Sequence, residues 1–247
     1  MMKNTIILIA ISALWTSAGA GNVQIQVLDR EGRPVPDAVV VVYPGATAGT
    51  PPSLLQASPT IEQEKMRFVP ALTVVAPGTT VRFTNQDRWD HHVRGNSATV
   101  AAAAAPGGTN PGFELRLAGK TDGKPSNFAD VKLDTPGVVL LGCHLHGSMR
   151  GHVFVTDSAW ALKTDGDGIA RFPAVPEGAA QVRVWHAEQL VDLPRKALNV
   201  APGPVLDTVQ LSVVPRVRRA PPAAPPGGPM GSYSQAPAGG AHLHPGS

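Results

Sequence analysis

Apolar and polar residues alternate with a period of two along short runs over most of the chain. Val23, Ile25 and Val27 share one face, and Val81 and Phe83 oppose Arg82 and Thr84. Branched or alternating runs recur at 39–42, 66–69, 72–75, 113–117, 131–133, 138–141, 153–155, 169–172 and 181–185. Glycine, proline, asparagine or aspartate punctuates many of them, and each reads as a half-buried strand. The alanines at 101–105 could start a helix, but Pro106, Gly107 and Gly108 stop it at once, so 95–111 reads as a loop. The pattern predicts an all-β fold. Residues 22–44 read as a β-hairpin connected by GRPVPDA, and PAVPEG separates the two strands near the C-terminal end.

The ends carry different signals. Residues 1–20 combine Lys3, an apolar stretch from Ile6 to Trp15 and the small residues Ala18, Gly19 and Ala20. That is the pattern of a secretory signal peptide cleaved after Ala20, too short for a membrane span, and it predicts export to a bacterial periplasm. No later stretch is long and apolar enough to cross a bilayer. Residues 45–59 form a polar, glycine- and proline-bearing linker. Residues 215–247 are dense in proline, glycine and alanine and read as a disordered tail, with His242 and His244 near its end.

Charge narrows the partners. The chain has 21 basic and 18 acidic residues, but Lys3 lies in the signal and Arg216, Arg218 and Arg219 in the tail. The body is therefore close to neutral, without the basic face that nucleic-acid binding needs. The Asp165-Gly166-Asp167-Gly168 run invites a calcium-loop reading, yet an EF-hand places glutamate twelfth and here that position is Pro176. It reads as a turn.

The chemistry concentrates between two strand patterns, at 138–141 and 153–155. Cys143, the only cysteine, is followed by His146 and Met149 on a loop too short and too glycine-broken for a helix. Exported proteins usually pair their thiols, so a lone cysteine beside a histidine and a methionine points to a ligand rather than half a disulfide. Thiolate, imidazole and thioether form a soft donor set suited to copper. The second imidazole comes from His91, after the strand pattern at 79–85. Two imidazoles and a thiolate in a plane with a weak axial thioether is the type 1, or blue, copper arrangement.

The pattern Asn85-x-Asp87-x3-His91-x-Val93, then Cys143-x2-His146-x2-Met149, resembles the cupredoxins, the plastocyanin- and amicyanin-like type 1 copper proteins. The short cysteine loop is of the amicyanin kind. The flanks resemble the carboxypeptidase regulatory-like (transthyretin-related) domain, a combination similar to bacterial plastocyanin-like or methylamine-utilisation proteins. The resemblance implies a Greek-key cupredoxin β-sandwich over 60–156. A smaller, discontinuous regulatory-like β-sandwich would be built from 22–44 and 158–214, with two consecutive domains as the alternative arrangement. It implies one type 1 copper ion held by His91, Cys143, His146 and Met149, and electron exit through His146. Asn85 would tie the two ligand loops together. His92 and His144 depart from the family pattern and place extra imidazoles beside the metal, as outer groups or added ligands. The implied function is non-catalytic: single-electron carriage to a redox partner such as a c-type cytochrome or a periplasmic dehydrogenase. The alternative is copper carriage or storage. A thiol hydrolase lacks an oxyanion motif, and His152 and His186 do not supply a second, three-histidine copper site.

Overall fold

The computed structural model describes residues 19–45, 54–97 and 112–216. The sequence expectations for 1–18, 46–53, 98–111 and 217–247 lie outside the described residues. Among the described residues there is no helix; sixteen strands form four sheets, and the all-β expectation holds.

Two sheets draw on both ends of the chain. In one, β1 (Ala20–Leu28) runs between β13 (Ile169–Pro176), antiparallel, and β16 (Pro204–Gln210), parallel. The other has the order β12 (Trp160–Lys163), β2 (Val39–Pro44), β14 (Gly178–Trp185), β15 (Lys196–Val200). Val23, Ile25 and Val27 from the first meet Val40, Val42, Val182 and Val184 from the second in one core. Removing each such side chain from water contributes about 1.5–3 kcal/mol.

The hairpin expected over 22–44 is not there. β1 and β2 lie in different sheets, and the isolated bridge from Leu28 goes to Pro34 in the connection between them, not to β2. The Asp29 carboxylate accepts from the Glu31 and Arg33 N–H groups at 2.7 and 2.9 Å, turning the chain so that the valine faces meet across the core. Likewise β13 takes up 173–176, most of the expected PAVPEG connection, and β13 and β14 again lie in opposite sheets.

β2 explains its own unusual sequence. All of Val39, Val40, Val41 and Val42 are fully buried. Val40 and Val42 face the core just described, while Val39 and Val41 pack on Leu72, Val138, Phe154 and Trp185. A strand covered on both faces needs apolar residues at every position.

The middle of the chain supplies the other two sheets. One has the order β5 (Leu72–Val75), β11 (Arg150–Val155), β10 (Gly137–Cys143), β7 (His91–Ser97), β8 (Phe113–Leu117). The other runs β4 (Arg67–Val69), β3 (Thr60–Glu64), β6 (Thr79–Asn85), β9 (Phe128–Leu133). Ile61, Val81, Phe83, Val93, Leu141 and Val153 share the core between them, and Cys143 and Met149 close it at one end. β7 extends through Gly95 to Ser97, into the expected loop, because β8 pairs with it as far as Gly95 and β10 pairs with it through Ser97.

The Asp165–Gly168 turn is bland, as expected: the Asp165 carboxylate accepts from Asp167 and Ile169 N–H groups at 3.0 and 2.9 Å. Gly168 has φ +72°, and a Cβ there would stand 2.6 Å from the Val27 carbonyl oxygen and 2.8 Å from the Val35 nitrogen. Gly168→Ala is expected to destabilise the protein by about 1–3 kcal/mol, read as a lower thermal midpoint.

Candidate metal centre

Strand geometry selects which side chains reach the core end. β7 opens at His91, and alternation sends His91 and Val93 inward and His92 and Arg94 outward. β10 ends at Cys143, which lies opposite Val93, and the next N–H, of His144, donates to the His92 carbonyl at 3.0 Å. The chain then turns: Met149 N–H donates to the His146 carbonyl at 3.0 Å, and β11 leaves antiparallel to β10. His91 therefore starts a strand rather than following the end of β6 directly; residues 86–90 bridge the two.

Three donors converge. Cys143 Sγ stands 3.7 Å from His91 Nδ1 and 3.6 Å from His146 Nδ1, and the two Nδ1 atoms are 3.2 Å apart. A triangle with those edges has its centre about 2.0 Å from each corner, against metal–nitrogen and metal–sulfur bonds of about 2.0–2.3 Å. The donor set fits a soft or borderline transition-metal ion. His91 and Cys143 are 1% and 2% exposed and His146 is half-buried, so the set opens to solvent at His146 alone. Met149 is 1% exposed and packs in the same cluster as Cys143.

His91 is held from behind. Its Nε2–H donates to Asp87 Oδ2 at 2.9 Å, which leaves the Nδ1 lone pair free on the side facing Cys143. The same carboxylate accepts from the Lys65 and Met66 N–H groups at 2.6 and 3.0 Å. Those two residues form the tight β3–β4 turn, with φ of 52° and 57°, the signature of a type I′ turn. Burial pushes the Asp87 carboxyl up, but the bonds from Met66, His91 and Lys65 outweigh it and hold it below the usual aspartate range.

Asn85, expected to join the two ligand loops, has other partners. Its buried amide donates to the carbonyls of Trp89, Leu117 and Ala118 at 2.8, 3.1 and 3.0 Å, and its oxygen accepts from Asp87 N–H at 2.9 Å. It fastens the 86–90 segment to the end of β8, because its position at the tip of β6 reaches that turn and not the cysteine loop.

His92 and His144 point away from the three donors. Their rings lie 4.7 Å apart on the outer face, each with Nε2 3.2 Å from a Glu114 oxygen. Sequence reading missed the roles of Asp87 and Glu114. Asp87 stood in the quoted motif four residues ahead of His91, and Glu114 sat on the outward phase of an expected strand; neither signal names a partner.

No family model matches the chain, and no curated protein sequence matches it. Among solved structures it is similar to a copper-containing nitrite reductase from Thermus scotoductus SA-01, at 20% identity over 46% of this chain and 24% of that chain, with a TM-score of 0.32. The chain thus spans less than a quarter of that enzyme. It is also similar to amicyanin from Paracoccus versutus, at 17% identity over 47% of this chain and 97% of that one, with a TM-score of 0.32. A purple cupredoxin from Nitrosopumilus maritimus is 19% identical over 39% of this chain and 98% of that one, with a TM-score of 0.27.

Proposed function

We propose that the protein is an exported, periplasmic type 1 copper protein that carries single electrons between redox partners. The observation that carries this reading is the meeting of His91 with Cys143, 52 residues apart in sequence, and with His146, at donor separations of 3.2–3.7 Å. His91, Cys143 and His146 would hold the ion, with the buried thioether of Met149 as a further, weaker donor. Copper bound there would supply a one-electron Cu(I)/Cu(II) couple.

The remaining work is done by the chain. Asp87 fixes the His91 tautomer and ring, and the β10–β7 pairing fixes Cys143, so the donors need not rearrange between oxidation states. The surrounding core keeps bulk water from His91 and Cys143. His146, beside Leu145, which is 59% exposed, is where a partner protein would receive the electron. That partner would be a c-type cytochrome or a periplasmic dehydrogenase. The burial of two donors favours retention of the metal, and so electron carriage over copper delivery. We read 60–156 as a cupredoxin domain inserted between the two parts, 22–44 and 158–214, of a regulatory-like sandwich.

Protein loaded with one equivalent of copper is expected to show intense visible absorption and a reversible one-electron couple. Absence of bound copper would sink the reading. Rapid loss of copper to a chelator, without a reversible couple, would favour carriage or storage instead.

A further inference from the structure

Beside the buried donors lies a second cluster that the proposed function does not use. His92 and His144 stand opposite one another on β7 and just beyond the end of β10, tied by the His144 N–H to His92 carbonyl bond. Glu114 reaches them from β8, two pairs along the β7–β8 ladder from His92 and so on the same face, where Arg94 is its partner. His92 Nε2 meets Glu114 Oε2 and His144 Nε2 meets Oε1, both at 3.2 Å. One ligand atom from each of the three residues lies within 4.8 Å of the other two.

We propose that His92, Glu114 and His144 form a separate surface site for a divalent transition-metal ion of the zinc or copper(II) class. Two imidazoles and a carboxylate are borderline-to-hard donors that suit such ions and, lacking sulfur, discriminate against Cu(I). Their side chains are 20%, 61% and 40% exposed, so an ion enters from solvent and keeps open positions. Three paired strands fix the donors, which distinguishes this cluster from histidines scattered on a surface. Arg94 and Arg116 stand on the same outward phase of β7 and β8, and their charge makes the site weaker than the buried one. Each histidine of the outer site is the chain neighbour of an inner donor: His92 follows His91, and His144 follows Cys143. An ion outside therefore pulls on the same two strand ends that position the donors inside. The inference goes beyond electron carriage and stands without it.

The test is a zinc titration of the full chain. The protein is loaded with one equivalent of copper and reduced, so that the sulfur-bearing site is filled with Cu(I), and Zn2+ uptake is followed by calorimetry. One zinc ion per chain is expected, with the His92 and His144 ring proton resonances shifting in step. His92→Gln, Glu114→Gln and His144→Gln, all partly or largely exposed positions, should each weaken uptake by more than about tenfold while unchanged circular dichroism shows that the fold is kept. Equal uptake by the wild type and all three variants would place the ion elsewhere, the tail histidines included, and overturn the proposal, as would no uptake at all. If copper loading itself fails, the electron-carrier reading fails. The same comparison then runs on Cys143→Ala protein and still decides the outer site.

Discussion

Cys143→Ser is expected to abolish the intense visible absorption of the copper-loaded protein and to lower its copper affinity by more than about 100-fold, beyond the loss typical of an outer-group change. The colour of a type 1 site comes from charge transfer between thiolate sulfur and the ion, and Cys143 is the only thiol in the chain. Serine retains the shape but not the chemistry. Its hydroxyl stays protonated and is a hard donor, and at a position 2% exposed no water can take its place. His91 and His146 would remain 3.2 Å apart, a two-nitrogen site with no soft donor. Absorption spectra with metal analysis of both proteins make the measurement. Thermal unfolding of the metal-free forms separates the ligand effect from the modest cost of burying a hydroxyl. An unchanged spectrum would remove Cys143 from the metal and the electron-carrier reading with it.

What could be read from the sequence follows the range of the interactions. Cys143, His146 and Met149 stand out in the sequence because three donor side chains fall within seven residues on one turn, and the structure brings two of them, Cys143 and His146, together with His91. His91 was legible because the set lacked an imidazole and the strand pattern before it put one within reach. The alternation at 23–27 and 81–84 gave the strands and their buried faces, but a period of two says nothing about which sheet a strand joins. Hence β1 and β2 read as a hairpin, although the unbroken apolar run at 39–42 was already the mark of a strand covered on both faces. The supporting carboxylates were illegible for the same reason. Asp87 takes the Lys65 N–H from 22 residues away, and Glu114 meets His144 across 30. Local spacing cannot encode such pairings. They exist only once β3 and β4 fold over the 86–90 segment and β8 pairs with β7.

Asp87 carries the other large expected effect. Asp87→Ala removes the acceptor of three donors: Lys65 N–H, Met66 N–H and the His91 ring. The two backbone groups sit in a turn whose positive φ values are unfavourable for residues with a Cβ, and the carboxylate is what that turn folds around. His91 is 1% exposed, so its Nε2–H is left without water as well. Stranding a buried donor costs about 1–3 kcal/mol, and the metal-free variant should unfold that much more readily in denaturant. With nothing to hold the proton on Nε2, the ring can carry it on Nδ1, the atom facing Cys143, and copper affinity should fall by about 10–100-fold. Asp87→Asn should lie between wild type and alanine, since one amide oxygen serves some of the three donors and its NH2 confronts the rest. The pH dependence has a defined sign. The folded carboxyl titrates below the ordinary aspartate value of 3.8, so its contribution is complete above that value and disappears as the pH falls through the lower, folded one. The stability gap between wild-type and Asp87→Ala metal-free proteins should therefore be full at neutral pH and close in acid below 3.8. A gap that persists unchanged to the lowest pH at which both proteins fold would show that packing, and not the ionised carboxylate, holds His91 in place.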